Sequence, residues 1–141
     1  MTKVSVFKFT GRILGMLMIF VGTTLSYLLL ARNRASLPAR AAWLQRWSRR
    51  TLRLIDLEVA VSGPVPPPGL VASNHMSYID VLVLSSVRPQ VFLAKSEVKG
   101  WPLFGAFARW SGSVFIDRRK RTEVSAKTAQ FAEAVDAGLP V

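Results

Sequence analysis

Residues 73–80 read S-N-H-M-S-Y-I-D and hold the only histidine of the chain, His75, with Asp80 five positions on. An imidazole and a carboxylate at that spacing can act as a base and its orienter. The carboxylate accepts one ring N–H and fixes the tautomer, which leaves the other ring nitrogen to take a proton near neutral pH. A hydroxyl held against that nitrogen becomes a nucleophile. The same residues also support a structural use. S-Y-I-D, residues 77–80, fits a capping box, in which Ser77 caps a helix and Asp80 reaches back to it. Asp80 would also favour the positive end of that helix. On these two residues alone, both uses stand.

Composition closes other chemistries. The 141 residues include no cysteine, which excludes disulfides, thiolate metal sites and cysteine nucleophiles. A single histidine argues against structural zinc as well. No cofactor is expected. The length suits about one domain.

The elements around the pair alternate. Residues 57–62, L-E-V-A-V-S, alternate apolar and polar positions like a strand. G-P-V-P-P-P-G, residues 63–69, is a stiff turn, and residues 70–73 form a second short apolar run. Residues 78–87 read as a helix, 91–94 as a strand, 101–110 as a helix, 114–116 as a strand, and 122–137 as a helix closed by Gly138. This order predicts an α/β sheet covered by helices. Asn74 and His75 fall at a strand end just before a helix, where open α/β sheets bind ligands. Residues 139–141 look like the entry to a further strand, so the chain is expected to be a fragment.

Charge is uneven. The net charge is +11, and residues 1–55 carry ten Lys or Arg and no acid, whereas residues 56–141 are nearly balanced. Residues 13–31 form an uncharged apolar run close to the ~20 residues needed to cross a bilayer core. A cleaved signal peptide and a buried soluble helix are the competing readings, weakened by the run's length and basic flanks. Residues 40–55 follow. At about 100° per residue, Trp43, Leu44, Trp47, Thr51 and Leu54 share one side and Arg46, Arg49, Arg50 and Arg53 the next, with Leu52 and Arg40 breaking the pattern. A basic helix with such tryptophans suits an anionic lipid surface; the plainer alternative packs the tryptophans on the protein's own domain. The division expected is a membrane anchor with the basic amphipathic helix over 1–55, as a single membrane-associated helix or a helical hairpin, and an α/β domain over 56–141 that is incomplete at its C-terminus. The arginine-rich downstream flank favours the cytoplasmic face of a cell membrane, a bacterial inner membrane being the expected one. Nucleic-acid binding rests on charge alone and is not expected.

The block N-H-M-S-Y-I-D resembles the N-H-x-S-x-x-D signature of the lysophospholipid (1-acylglycerol-3-phosphate) acyltransferases. G-S-V-F-I-D-R, residues 112–118, is similar to that family's second block, and F-L-A-K-S-E-V-K-G-W-P-L-F-G, residues 92–105, to the stretch between them. The resemblance covers residues 57–141 and implies a glycerolipid-acyltransferase-like domain. It implies His75 as general base, Asp80 as its orienter and Arg118 as the grip on an anionic acceptor. Lys95 would be a second cation there, and Asn74, Ser77 and Gly112 would border the substrate. A lysolipid hydroxyl would attack the thioester of an acyl-CoA or acyl-carrier-protein with no covalent enzyme intermediate. The family's third and fourth blocks are absent, so residues 1–141 are expected to be inactive alone. Many phosphatidic-acid-forming members carry two lysines where this chain has Lys95-Ser96; A-K-S-E-V with G-W-P is similar to the lyso-ornithine lipid acyltransferases. The rival of another class is a non-catalytic module that binds anionic lipid.

Overall fold

The computed structural model describes residues 6–33, 35–117 and 121–141. Two long helices come first, α1 (Val6–Arg32) and α2 (Leu37–Leu54). They are followed by α3 (Ile79–Val87), β1 (Leu93–Lys95), a 3-10 helix over Ser96–Gly100, α4 (Phe104–Trp110), β2 (Val114–Ile116) and α5 (Arg121–Asp136). The result is a mixed helical structure around a small parallel sheet.

α1 is long because nothing in its apolar run breaks a helix. Its stretch Phe9–Ala31 has a mean hydropathy of 2.1 and is 6% buried, enough by length and composition to cross a membrane. Its glycines admit α2. A Cβ on Gly15 would stand 2.6 Å from Leu54 Cδ1, and one on Gly22 would stand 2.7 Å from Trp47 Cη2. Ser26 completes the seam: its hydroxyl accepts the indole N–H of both Trp43 and Trp47 at 2.9 Å and donates to the Thr23 carbonyl. Tyr27 stacks on Trp110, with ring centroids 4.2 Å apart, and Phe20 meets Phe107 edge-on. The tryptophans therefore pack on the protein's own helices, which corrects the lipid-facing expectation.

α2 starts with Pro38 in its first turn, where the missing N–H costs nothing. Its buried residues are Ala41, Trp43, Leu44, Ser48 and Leu52. Leu52, which broke the expected apolar side, is in the inward stripe. The expected stripe ran along α1, and a second stripe three and four residues apart faces α3. There the Ser48 and Ser85 hydroxyls meet at 2.8 Å. Gln45 and Arg49 donate to the last carbonyls of α3, Arg49 Nε reaching Ser86 at 2.7 Å. Arg40 does the same for α4, donating to the carbonyls of Trp110 and Arg109. These two arginines satisfy orphan carbonyls at helix ends.

β1 and β2 pair in parallel, Leu93 opposite Val114 and Lys95 opposite Ile116. Val141 N–H donates to the Gly69 carbonyl and Val71 N–H to the Val141 carbonyl, the bond pair of a parallel bridge centred on Leu70. Val91 N–H donates to Pro140, so residues 139–141 lie between Leu70 and the β1 segment. The strand expected at 114–116 forms as read, and that at 91–94 is shifted to Leu93–Lys95. Residues 57–62 form no strand. Leu57 and Val59 are half-buried and Glu58 and Ala60 exposed, because the segment lays one side on the end of α2. The helix expected at 101–110 starts only at Phe104, behind the 3-10 helix. The core joins Ala41 of α2 to Val91, Val114, Ile116, Ala134 and Leu139.

Candidate active site

The extended stretch before α3 carries the pair. His75 Nδ1 lies 3.1 Å from Asp80 Oδ2. The same oxygen accepts the backbone N–H of Met76 at 2.7 Å and of Ser77 at 2.8 Å. Ser77 Oγ accepts the Ile79 N–H at 3.2 Å, and Asp80 N–H returns to the Ser77 carbonyl. The capping box and the imidazole–carboxylate pair thus share one carboxylate oxygen, so the two readings of the sequence describe one arrangement.

Electrostatics follow from those contacts. The N–H groups of Ser77 and Met76, and after them His75, hold the Asp80 carboxyl below the usual carboxylate range. An ionised Asp80 selects the tautomer with its proton on Nδ1. His75 Nε2 then carries the free lone pair, and it has no hydrogen-bond partner among the described residues. The His75 side chain is 56% exposed and that of Asp80 30%, so the imidazole faces outward and the carboxylate is more sheltered.

The other expected residues take different places. Lys95 ends β1, is exposed, and forms no ion pair among the described residues. Its register partner Ile116 lies two positions before Arg118, which is outside the described residues. Asn74 is exposed beside His75. Ser77 is occupied with the start of α3. Gly112 sits at φ 86 just past α4, where Ser113 N–H bonds back to Ala108. A Cβ there would strike Leu37. A left-handed helix-closing turn accounts for this glycine without a ligand.

Sequence reading missed the neighbours of the pair. The Tyr78 ring lies 5.6 Å from Trp101 and 5.7 Å from Phe104, which ties the His75 stretch to the loop after the 3-10 helix. Nothing in the spacing of these residues signals that contact. A groove of about 500 Å³ between Arg49, Leu52, Leu57 and Val87 lies at the far end of α3. That is roughly 10 Å of helix away from Asp80.

Comparison with known proteins converges on one chemistry. A family model described as acyltransferase matches residues 57–141. The lyso-ornithine lipid O-acyltransferase of Rhizobium meliloti (strain 1021) is 50% identical over 84 residues, 57% of this chain and 29% of that protein. The 1-acyl-sn-glycerol-3-phosphate acyltransferase of Neisseria meningitidis serogroup B is 37% identical over 96 residues, 66% of this chain and 38% of that protein. The lyso-ornithine lipid O-acyltransferase of Brucella abortus (strain 2308) is 35% identical over 108 residues, 72% of this chain and 40% of that protein. The chain thus spans 29 to 40% of the length of these curated relatives. No solved structure matches it.

Proposed function

The chain belongs to the acyltransferase family, and from that premise we propose that its protein transfers a fatty acyl group from an acyl thioester to the hydroxyl of a lysolipid. The observation that carries the proposal is the 3.1 Å contact between His75 Nδ1 and Asp80 Oδ2, with Nε2 left open. The lysolipid hydroxyl donates its proton to Nε2 as its oxygen attacks the thioester carbon. The Asp80 carboxylate stabilises the imidazolium so formed. Collapse of the tetrahedral intermediate breaks the carbon–sulfur bond. The departing thiolate takes the proton back from Nε2, and the products are a two-chain lipid and a free thiol. No covalent enzyme intermediate is needed.

In this reading Lys95, at the carboxyl end of β1, and Arg118 hold the anionic part of the acceptor by charge-assisted bonds. Asn74 and Ser77 border it, and the small parallel sheet is part of a β/α acyltransferase domain. The acceptor is 1-acylglycerol-3-phosphate in the first instance. A second reading, lyso-ornithine lipid, is favoured by the 50% identity to the Rhizobium meliloti protein and by Lys95-Ser96. α1 holds the protein at a membrane. It packs on Leu54, Trp47, Phe107 and Trp110 over the stretch from Gly15 to Tyr27. That favours a helix lying along the protein with its other face in lipid.

The test is acyl transfer by the full-length protein from acyl-CoA and acyl-carrier-protein to both lysolipids. His75→Ala should lower turnover by about 10²- to 10⁴-fold with vesicle binding retained. Full activity in that variant would remove His75 from the chemistry, and no transfer by the unaltered protein would leave only a lipid-binding module.

A further inference from the structure

The loop that meets Tyr78 has an unusual backbone. Leu103 sits at φ 62 and ψ −66, and Phe104 N–H donates to the Pro102 carbonyl at 2.7 Å. A bond closing three residues around a positive-φ centre is the rare, strained form of the γ-turn. Leucine adopts it at a steric cost that glycine escapes. The turn is braced on both sides. Gly105 N–H donates to Trp101 and Phe107 N–H to Leu103, and Trp101 N–H donates to Val98. Gly105 lies so close to the carbonyls of Val98 and Lys99 that a Cβ there would stand 2.6 Å from each.

What this turn presents is apolar and exposed. Trp101 is 40% exposed, Leu103 51%, Phe104 55% and Tyr78 56%, while Met76, next to His75, is 93% exposed. We propose that the Leu103 turn is a lipid-docking wedge. It holds Trp101 and Phe104 against Tyr78 so that they and Leu103 enter the headgroup region of an anionic bilayer and set His75 at the depth of a lysolipid hydroxyl.

Three observations select lipid as the occupant. The patch combines Trp, Tyr, Phe and Leu with the exposed Lys95 and Lys99, the composition that settles at membrane interfaces. The patch is continuous with α1 through α4. That helix starts at Phe104, and one turn later its Phe107 touches Phe20 of α1, whose exposed residues include Leu17, Met18, Val21 and Leu25. The charge excess, ten basic residues and no acid over residues 1–55, belongs to the segment that holds α1 and α2, which the patch adjoins, and it complements anionic headgroups. The inference rests on the acyltransferase reading only for what His75 meets there.

The chain has no cysteine, so Leu103→Cys takes a single environment-sensitive dye. Vesicles of phosphatidylcholine and phosphatidylglycerol should shift its emission to the blue, and brominated lipid in them should quench it. A dye that stays in water while the chain co-sediments with vesicles overturns the proposal. So does a blue shift that precedes lipid and grows with protein concentration, which would mark a second copy on the patch. Leu103→Gly suits the backbone and removes the wedge. In the full-length protein it should lower the ratio of rates on vesicle-borne to monomeric lysolipid about tenfold, whereas an unchanged ratio refutes the wedge. If the unaltered protein acylates neither form, the acyltransferase reading fails, and the dye result still decides the docking proposal.

Discussion

Asp80 carries two duties on one oxygen, and substitution can separate them. Asparagine keeps an oxygen that can accept the N–H groups of Met76 and Ser77 but loses the charge that steadies a protonated His75. Asp80→Asn should therefore cut turnover by about 10²-fold or more while the helical circular dichroism is retained. Asp80→Ala should lose turnover and also lower the melting temperature. The pH dependence follows from the depressed carboxyl. A folded value below the unfolded one means that the ionised side chain stabilises the protein above the ordinary carboxylate value of about 4. That contribution fades as pH falls through the lower folded value. The gap in melting temperature between the unaltered protein and Asp80→Ala should be present at neutral pH and close below about pH 4; a gap that persists undiminished well below about pH 4 would contradict the assignment. The pair was legible in the sequence because five residues suffice to build it. Its neighbours were not, since Tyr78 reaches Trp101 across a distance in sequence that no spacing rule covers.

At the level of elements, the polar contacts between helices set the architecture. Ser26 is the shared acceptor for two indoles, and Trp43 is almost fully buried. Ser26→Ala leaves both N–H groups without that partner and should cost about 1–3 kcal/mol of stability, read by urea denaturation. Loss of less than about 0.5 kcal/mol, the level of ordinary surface changes, would mean that the seam does not depend on it. Arg49→Ala removes one of the two donors to the Ser86 and Val87 carbonyls, Gln45 being the other, and should cost about 0.5–1.5 kcal/mol. Arg46→Ala, an exposed neighbour with no such bond, should be close to neutral. The sequence showed α1 as an uncharged apolar run and α2 as a 3.6-residue stripe, both of them local signals. It could not tell which stripe faced what. α2 has two partners, so its apolar residues wrap further round than one amphipathic face allows. The failed strand over residues 57–62 shows the same limit. Alternation records that one side is buried, and here helix rather than sheet buries it.

For the whole molecule, the separation between structural and free arginines decides how it meets a membrane. Arg40 and Arg49 are held at helix ends and Arg12 by Asp56, whereas Arg46, Arg50 and Arg53 stay exposed on α2. Arg50 lies over the Trp47 ring at 4.5 Å and Arg53 returns to its own helix, so both keep their charge at the surface. Each basic residue near an anionic bilayer is worth about 1 kcal/mol, so three together amount to roughly two orders of magnitude in partitioning. That attraction decays over about 10 Å at 0.1 M salt and about 3 Å at 1 M. The apolar face of α1 is indifferent to salt. Binding to anionic vesicles should therefore weaken with salt to a plateau rather than to zero. Replacing Arg46, Arg50 and Arg53 by Gln should take low-salt binding close to that plateau without altering the melting temperature by more than a few degrees. Vesicle co-sedimentation across a salt series measures both parts. If binding falls to zero at high salt, the charged face alone holds the membrane and α1 is not an anchor. If the triple substitution leaves the salt series unchanged, these three arginines are solvated surface, and lipid is met through α1 and the apolar loop beside His75.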